Sequence, residues 1–513
     1  MADDQRDVIA FLENPANYGG AVDQVERLET HISLVFLAGD RAYKLKRAVK
    51  YPYLDFSTAR LREEACVAEL RLNRRTAPDL YLEIKTIGRE ASGCIVWDRG
   101  TPIDYVVVMR RFEQERLLDA VAQKGGLDPP LIYALAAHIA SFHQRAEIRR
   151  GGGSAAMARV AANAIACLRD CTDAGFDAER VGALDRAWKT ELDRLGPLLD
   201  RRRDAGRVRR CHGDLHLRNI CLLDRGPALF DCLEFSEDLA TVDVLYDLAF
   251  LLMDMVHRGH CEDANRLFNR YLDLTTEEDG LGAIPFFLSL RAAIRAYVSG
   301  VSAHFPGGDA AMAEAHRYLD LADAALSRPA PVLVAIGGLS GTGKSVLAAQ
   351  LAPGLGPLPG ARVLRSDVLR KRRFGVLPET ALPDTAYTPA ETKAVYAELC
   401  DKATSALRAG YSAIIDAVSL ASEERDAFAA AAREADVRFL GFWLEAPTEV
   451  MAERIRGRRS DASDATTRIL QRQLRSNSGP VGWRRVDASG PPEATLEKAK
   501  SALAATMNDK VGP

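Results

Sequence analysis

The stretch CHGDLHLRNICLLDRGPALFDCLEF, from Cys211 to Phe235, places Asp214 five residues before Asn219 and Asn219 twelve before Asp231. Carboxylates and an amide at this spacing suit phosphoryl transfer. That chemistry needs a group facing an acceptor hydroxyl, oxygen ligands for Mg2+, and a cation on the nucleotide phosphates. Two other readings compete. His212 and His216 at i, i+4 would serve a zinc site only on a helix, which Gly213 disfavours, and no Glu follows the first His. A buried polar hairpin would have to hold Asp214, Asn219, Asp231 and Glu234 to no purpose, and unpaired buried carboxylates are costly.

A second stretch, GGLSGTGKS from Gly337 to Ser345, fits G-x-x-x-x-G-K-[ST]. Such a loop points backbone N–H groups into a phosphate-sized nest at a helix N-terminus. Gly338, Ser340, Gly341, Thr342 and Gly343 would wrap the phosphates, Lys344 would reach the β/γ-phosphates, and Ser345 would hold Mg2+. Its context is right: the apolar VLVAI precedes it and the helical SVLAAQLA follows.

Both sites need elements to position them. HISLVFLAGDRAYKLKRAV reads as two strands turning at Gly39-Asp40, STARLREEACVAELRLNRRTA as a helix capped by Ser57 or Thr58, and DYVVVMRRF as a further strand. Helical sequence then dominates, apart from a hairpin of ICLL and PALFD around Asp224–Pro227. Asn219 precedes the first hairpin strand and Asp231 ends the second, so the two should meet at one open end. Past Ser327–Pro331 the pattern alternates strand and helix through VLVAIGG, ARVLRSD, YSAIIDAV and VRFLGFWLEA. The expectation is a multidomain chain: an α+β domain over 1–328, then an α/β domain with a parallel sheet over 329–513.

The HGDLHLRN and FDCLEF segments resemble the aminoglycoside phosphotransferase group of the protein-kinase-like fold, over roughly residues 25–325. The resemblance implies Asp214 as catalytic base and Asn219 and Asp231 as magnesium ligands. It also implies a strand lysine paired with a helix glutamate. Lys44 in AYKLK fits, Lys46 lies on the same strand face and could contact the nucleotide instead, and Glu69 is the best partner, with Glu63 and Glu64 as alternatives. No glycine-rich G-x-G-x-x-G loop precedes these strands. His143 reads as structural, and Asp247 either braces the loop or simply lies in a helix.

Residues 331–505 resemble the small P-loop kinases, among them the gluconate, shikimate and polynucleotide kinases and the zeta-toxin group. Asp367, at the end of a second strand, could activate an acceptor hydroxyl, and Arg370 could hold acceptor or phosphate. Asp416 would serve water or magnesium. Arg454, Arg456, Arg458 and Arg459 concentrate where a lid would close, with Arg454 and Arg458 taken as nucleotide ligands. RRVDASGPPEATLEKA looks like the adenine-side loop and last helix. The domain order resembles bacterial bifunctional aminoglycoside phosphotransferase/ATP-binding proteins.

The leading expectation is a tandem kinase using ATP and Mg2+ on hydroxyls of small polar molecules. Three alternatives stand beside it: an active P-loop kinase with a regulatory first domain, a nucleotide-gated switch, and a nucleic-acid 5′-kinase. A net charge of −3 argues mildly against nucleic acid, and 47% hydrophobic with 27% charged residues is ordinary for a globular chain. Nine cysteines without a C-x-x-C pair fit a reducing cytoplasm. No secretory signal is apparent, and the apolar VLYDLAFLLMDMV is too short to span a membrane and carries Asp247 and Asp254.

Overall fold

The computed structural model describes residues 3–20, 22–30, 32–51, 54–171, 175–302, 308–457, 462–476 and 478–508. They pack into two compact units, one from 1–157 with 199–254, the other from 158–198 with 255–513.

In the first unit the expected strand pair forms as β2 (Ser33–Ala38) and β3 (Arg41–Lys46), preceded by β1 (Val25–Glu29). A short pair follows, β4 (Lys50–Tyr51) with β5 (Leu54–Asp55). Next come β6 (Tyr81–Arg89), β7 (Ile95–Trp97) and β8 (Thr101–Arg110), which complete an antiparallel sheet in the order β1-β2-β3-β8-β6-β7. Three of these six strands escape a sequence reading. β1 is a charged, largely exposed edge strand, and β6 mixes polar and apolar residues on both faces.

Period-2 alternation gives the sheet two covered faces. Phe36, Leu45, Val106 and Val108 pack with Phe11 and Leu12 of the helix Arg6–Glu13. Ala42, Val107 and Met109 pack with Cys66 of the helix Ala59–Asn73, which Thr58 caps through the Leu61 N–H. Lys44 and Lys46 therefore share Ala42's side, toward that helix. Each buried Leu or Val is worth about 1.5–3 kcal/mol, and a one-residue slip of β3 would put both lysines against the apolar face. The register that builds the core also aims the lysines.

The hairpin forms as expected. β9 (Val208–Arg210) precedes β10 (Ile220–Leu223) and β11 (Gly226–Leu229), which pair antiparallel, and β12 (Thr241–Asp243) returns to pair with β9. The Phe230 N–H donates to the Asn219 carbonyl at 3.0 Å, closing the open end where Asn219 and Asp231 meet.

In the second unit β13 (Val332–Gly338), β14 (Arg362–Arg365), β15 (Ala413–Asp416), β16 (Arg438–Glu445) and β17 (Arg484–Asp487) form a parallel sheet, order β14-β15-β13-β16-β17. β17 is a polar edge strand that the sequence presents as loop. β14 stops at Arg365, so Asp367 lies in the first turn of the helix Ser366–Arg373 rather than at a strand end. Leu347 and Leu351, with Ala499 and Leu503, cover β13 from two helices.

Packing groups the chain differently from a single cut at residue 328. The helix Cys261–Thr275 caps the free edge of β14. Asn269 Oδ1 accepts from the Val363 N–H at 2.7 Å, and its Nδ2 donates to the Ala361 carbonyl at 3.1 Å, as a neighbouring strand would. Between them the fully buried Arg362 meets Asp273 at 2.6 Å and Glu278 at 3.1 Å. The stretch Glu278–Val301 is long and apolar enough to cross a membrane, but most of its apolar part is buried within the protein.

Candidate active sites

In the first unit Lys44 Nζ lies 2.8 Å from Glu69 Oε1 and 2.5 Å from Asp231 Oδ1. Burial alone would lower the lysine's pKa, but Asp231 and Glu69 outweigh it and hold the ammonium well above its ordinary value. Burial likewise pushes the Glu69 carboxyl up, and Lys44 and Lys46 more than reverse this. Glu69 is the partner because it faces the sheet; Glu64 is exposed and pairs with Arg60. Lys46 also reaches Glu69, at 2.5 Å, and pairs with Glu234.

The catalytic-loop residues converge beside this group. Asn219 Nδ2 donates to Asp214 Oδ2 at 2.9 Å and to the Asp214 carbonyl at 3.0 Å. Both contacts use the amide nitrogen, so the amide oxygen is not spent on them. Asp231 adopts a left-handed conformation at φ 58°, which aspartate tolerates better than most residues, and its N–H donates to Tyr81 Oη at 3.1 Å. An aspartate with 41% of its side chain exposed and a neighbouring amide oxygen form the hard oxygen set that Mg2+ prefers, so the residues present fit that ion.

Three features missed or left open by the sequence hold the loop. Asp247, fully buried, accepts from the His212 N–H at 3.1 Å and the Gly213 N–H at 2.7 Å, and lies 3.1 Å from His143 Nε2. Asp254, two turns along the same helix, accepts from the Leu217 N–H at 3.0 Å. Gly213 has φ 85°, and a Cβ there would stand 3.0 Å from Ala240 and Leu233. The histidines do not converge as zinc ligands: His212 Nε2 pairs with the Phe230 carbonyl at 3.0 Å, whereas His216 sits edge-on to Phe250. Asp247, His143 and Cys211 do lie together, but burial pushes the Cys211 thiol well up and Asp247 is engaged on backbone N–H groups.

In the second unit the P-loop spans β13 and the helix Lys344–Leu351, lining a cavity of about 560 Å³. Gly341 has φ 89°, and a Cβ would lie 2.5 Å from the Met451 carbonyl, so only glycine fits this turn. Ser345 Oγ donates to Asp416 Oδ2 at 2.6 Å, bringing together the two expected magnesium ligands, again hard oxygen donors. Lys344 Nζ donates to the Leu339 carbonyl at 3.0 Å, within the loop. Thr342 Oγ1 donates to the same carbonyl, and the Ser340 N–H donates to Gln473 Oε1 at 2.9 Å.

Asp367 and Arg370 line the same cavity. Burial pushes the Asp367 carboxyl above its ordinary value against the pull of Arg365, and Asp416 adds to the rise. Arg370 is anchored on the Ala386 carbonyl at 2.8 Å and over the Tyr387 ring. Arg454 donates to the carbonyls of Ala488 and Gly490, both at 2.9 Å, and so pins the loop after β17 beside the phosphate nest. Arg458 and Arg459 lie outside the described residues. Gln473, which occupies a P-loop N–H, had no sequence signal.

Two phosphate-type charge sets, one on a protein-kinase-like unit and one on a P-loop sheet, make the chain an ATP-dependent kinase. Residues 62–284 match the Phosphotransferase enzyme family and residues 333–480 match the AAA domain family. Within that class the chain belongs to the family of the mycobacterial proteins Rv2004c of Mycobacterium tuberculosis and Mb2027c of Mycobacterium bovis, both named as uncharacterized. Each is 32% identical over 479 residues, spanning 92% of this chain and 94% of the relative. Among solved structures, a choline/ethanolamine kinase family protein from Mesorhizobium loti matches at TM-score 0.40 and 15% identity, over 63% of this chain and 95% of its own. A gluconokinase from Sinorhizobium meliloti matches at TM-score 0.26 and 22% identity, over 35% and 95%.

Proposed function

We propose that the chain is a tandem phosphotransferase, with each module passing the γ-phosphoryl group of ATP to a hydroxyl of a small polar metabolite. The observation that supports it most is that neither charge set is broken. Lys44–Glu69–Asp231 with Asn219–Asp214 stands in the first unit, and Ser345–Asp416 with Lys344 and Asp367 in the second. We take the modules to divide at Ser327–Pro331, and the nine free cysteines suit a reducing cytoplasm.

In the first site Asp214 receives the acceptor proton as the hydroxyl oxygen bonds to the γ-phosphorus and the bond to ADP breaks. Lys44 holds phosphate charge, while Asn219 and Asp231 would hold the cation. In the second, Asp367 takes the proton, Lys344 and the loop N–H groups bear the phosphates, and Arg370 lends positive charge to the acceptor side. Mg2+ neutralises phosphate charge at both sites when bound.

Calorimetric titration with a non-hydrolysable MgATP analogue should show two binding events. Lys344→Ala should remove one and Asp231→Asn the other. A single event that disappears with Lys344 would reduce the first module to a regulatory or substrate-binding part. Turnover at the P-loop site should also carry the signature of Asp367. A base must be ionised, and a carboxyl raised above the ordinary aspartate value keeps its proton to higher pH. The acid limb of kcat/KM should therefore fall off at higher pH than an ordinary aspartate gives. A profile flat down to that ordinary value would remove Asp367 from the base role.

A further inference from the structure

We infer that Lys46 and Glu234 are positioning residues of the first site: a buried ion pair that fixes Glu69, so that Lys44 stays set for the phosphates and Asp231 for the cation. The inference rests on the reading of that site as a nucleotide site.

Five charged groups form one chain of contacts, Asp231–Lys44–Glu69–Lys46–Glu234. Lys44 takes Glu69 Oε1 at 2.8 Å, and Lys46 takes Oε2 of the same carboxylate at 2.5 Å while pairing with Glu234. Exposure is lowest at the centre of the chain and by far the highest at its Asp231 end. The Lys46 and Glu69 side chains are 0% exposed, Glu234 5%, Lys44 11% and Asp231 41%. A nucleotide can reach the Asp231 end, whereas the Lys46 end is closed. Lys46 is held in place independently: its carbonyl accepts from Gln5 Nε2 at 2.9 Å, and Nζ lies 5.2 Å from the centre of the Phe56 ring. Lys46 is thus no ligand of the nucleotide, although β3 turns it to the same side as Lys44.

The charges explain what it does. Three carboxylates face two ammonium groups, and Lys46 and Glu234 neutralise each other at the closed end. The surplus negative charge is left at Asp231, where a cation belongs. Lys44 must leave Asp231 to reach phosphate, and it then depends on Glu69 alone. Glu69 keeps its place because its second oxygen is ion-paired with the Lys46 ammonium at 2.5 Å, a contact of charge rather than of hydrogen-bond geometry. Without Lys46 that oxygen would lie bare in a dry site, where an unpaired charge is strongly unfavourable.

The test uses the full chain carrying Lys344→Ala, so that the P-loop site is silent. Lys46→Met alone leaves Glu234 buried without a counter-ion and can unfold the unit, so the decisive variant is Lys46→Met/Glu234→Met, which removes both charges at similar volume. Calorimetry should show the double variant binding the MgATP analogue roughly 10–100-fold more weakly than its parent, the usual cost of losing an outer partner of a metal site. The loss should be smaller for metal-free ATP, and Lys46→Arg should recover most of the affinity. A folded double variant with parental affinity, or equal losses with and without metal, would make the pair merely structural and overturn the inference. A Lys344→Ala parent that binds no analogue would instead overturn the nucleotide reading of the first site, and this inference with it.

Discussion

Asp214→Asn is expected to slow transfer at the first site by about a thousandfold and to leave nucleotide binding there nearly intact. Asparagine matches the shape of aspartate but cannot take the acceptor proton. The loop should keep its form, because its backbone is held by Asp247 and Asp254 rather than by Asp214. Single-turnover transfer to a responsive hydroxylated acceptor, set beside analogue binding by calorimetry, separates the two effects. Undiminished transfer would remove Asp214 from the chemistry. Lost binding would make it a ligand of the nucleotide or its metal.

The second large effect concerns stability. Arg362→Ala should destabilise the second unit by about 3 kcal/mol, because it strips the largely buried Asp273 of this partner and leaves Glu278 with Lys402 alone. Burial opposes the Arg362 charge, yet the two carboxylates outweigh it and raise its pKa. Denaturant unfolding followed by tryptophan fluorescence reads the right unit, since Trp188, Trp443 and Trp483 belong to it and only Trp97 to the other. An unchanged midpoint would show that the helix Cys261–Thr275 rests on the sheet edge without holding it.

Both candidate sites were largely legible because their parts lie close in sequence and carry their own local geometry. The P-loop is a strand, a turn that only glycine can make, and a helix start, so nine residues define it. The hairpin brings Asn219 and Asp231 together through a two-residue turn and a register that alternation dictates. Lys44 and Lys46 could not be separated by spacing, because a strand turns both to the same face; only the depth of burial tells them apart. The edge strands β1 and β17 were missed because an edge strand needs no apolar pattern, and β6, paired on both sides, was missed because it mixes polar and apolar residues on both faces. Gln473 and the Asn269 contact were invisible for a different reason: each is a polar side chain whose partner is a distant backbone group, and no local pattern marks such a residue.

The capping of β14 by Asn269 bears on how such a protein can be inherited or rebuilt. A gene cut at residue 328 would release the P-loop sheet with a raw edge, its Ala361 carbonyl and Val363 N–H unpaired and Arg362 without counter-ions. An edge of that kind recruits other strands and aggregates. The upstream kinase cannot be exchanged for another as a cassette unless the helix Cys261–Thr275 travels with the downstream one. A cut at Ser327–Pro331 would separate this helix from the sheet edge it caps.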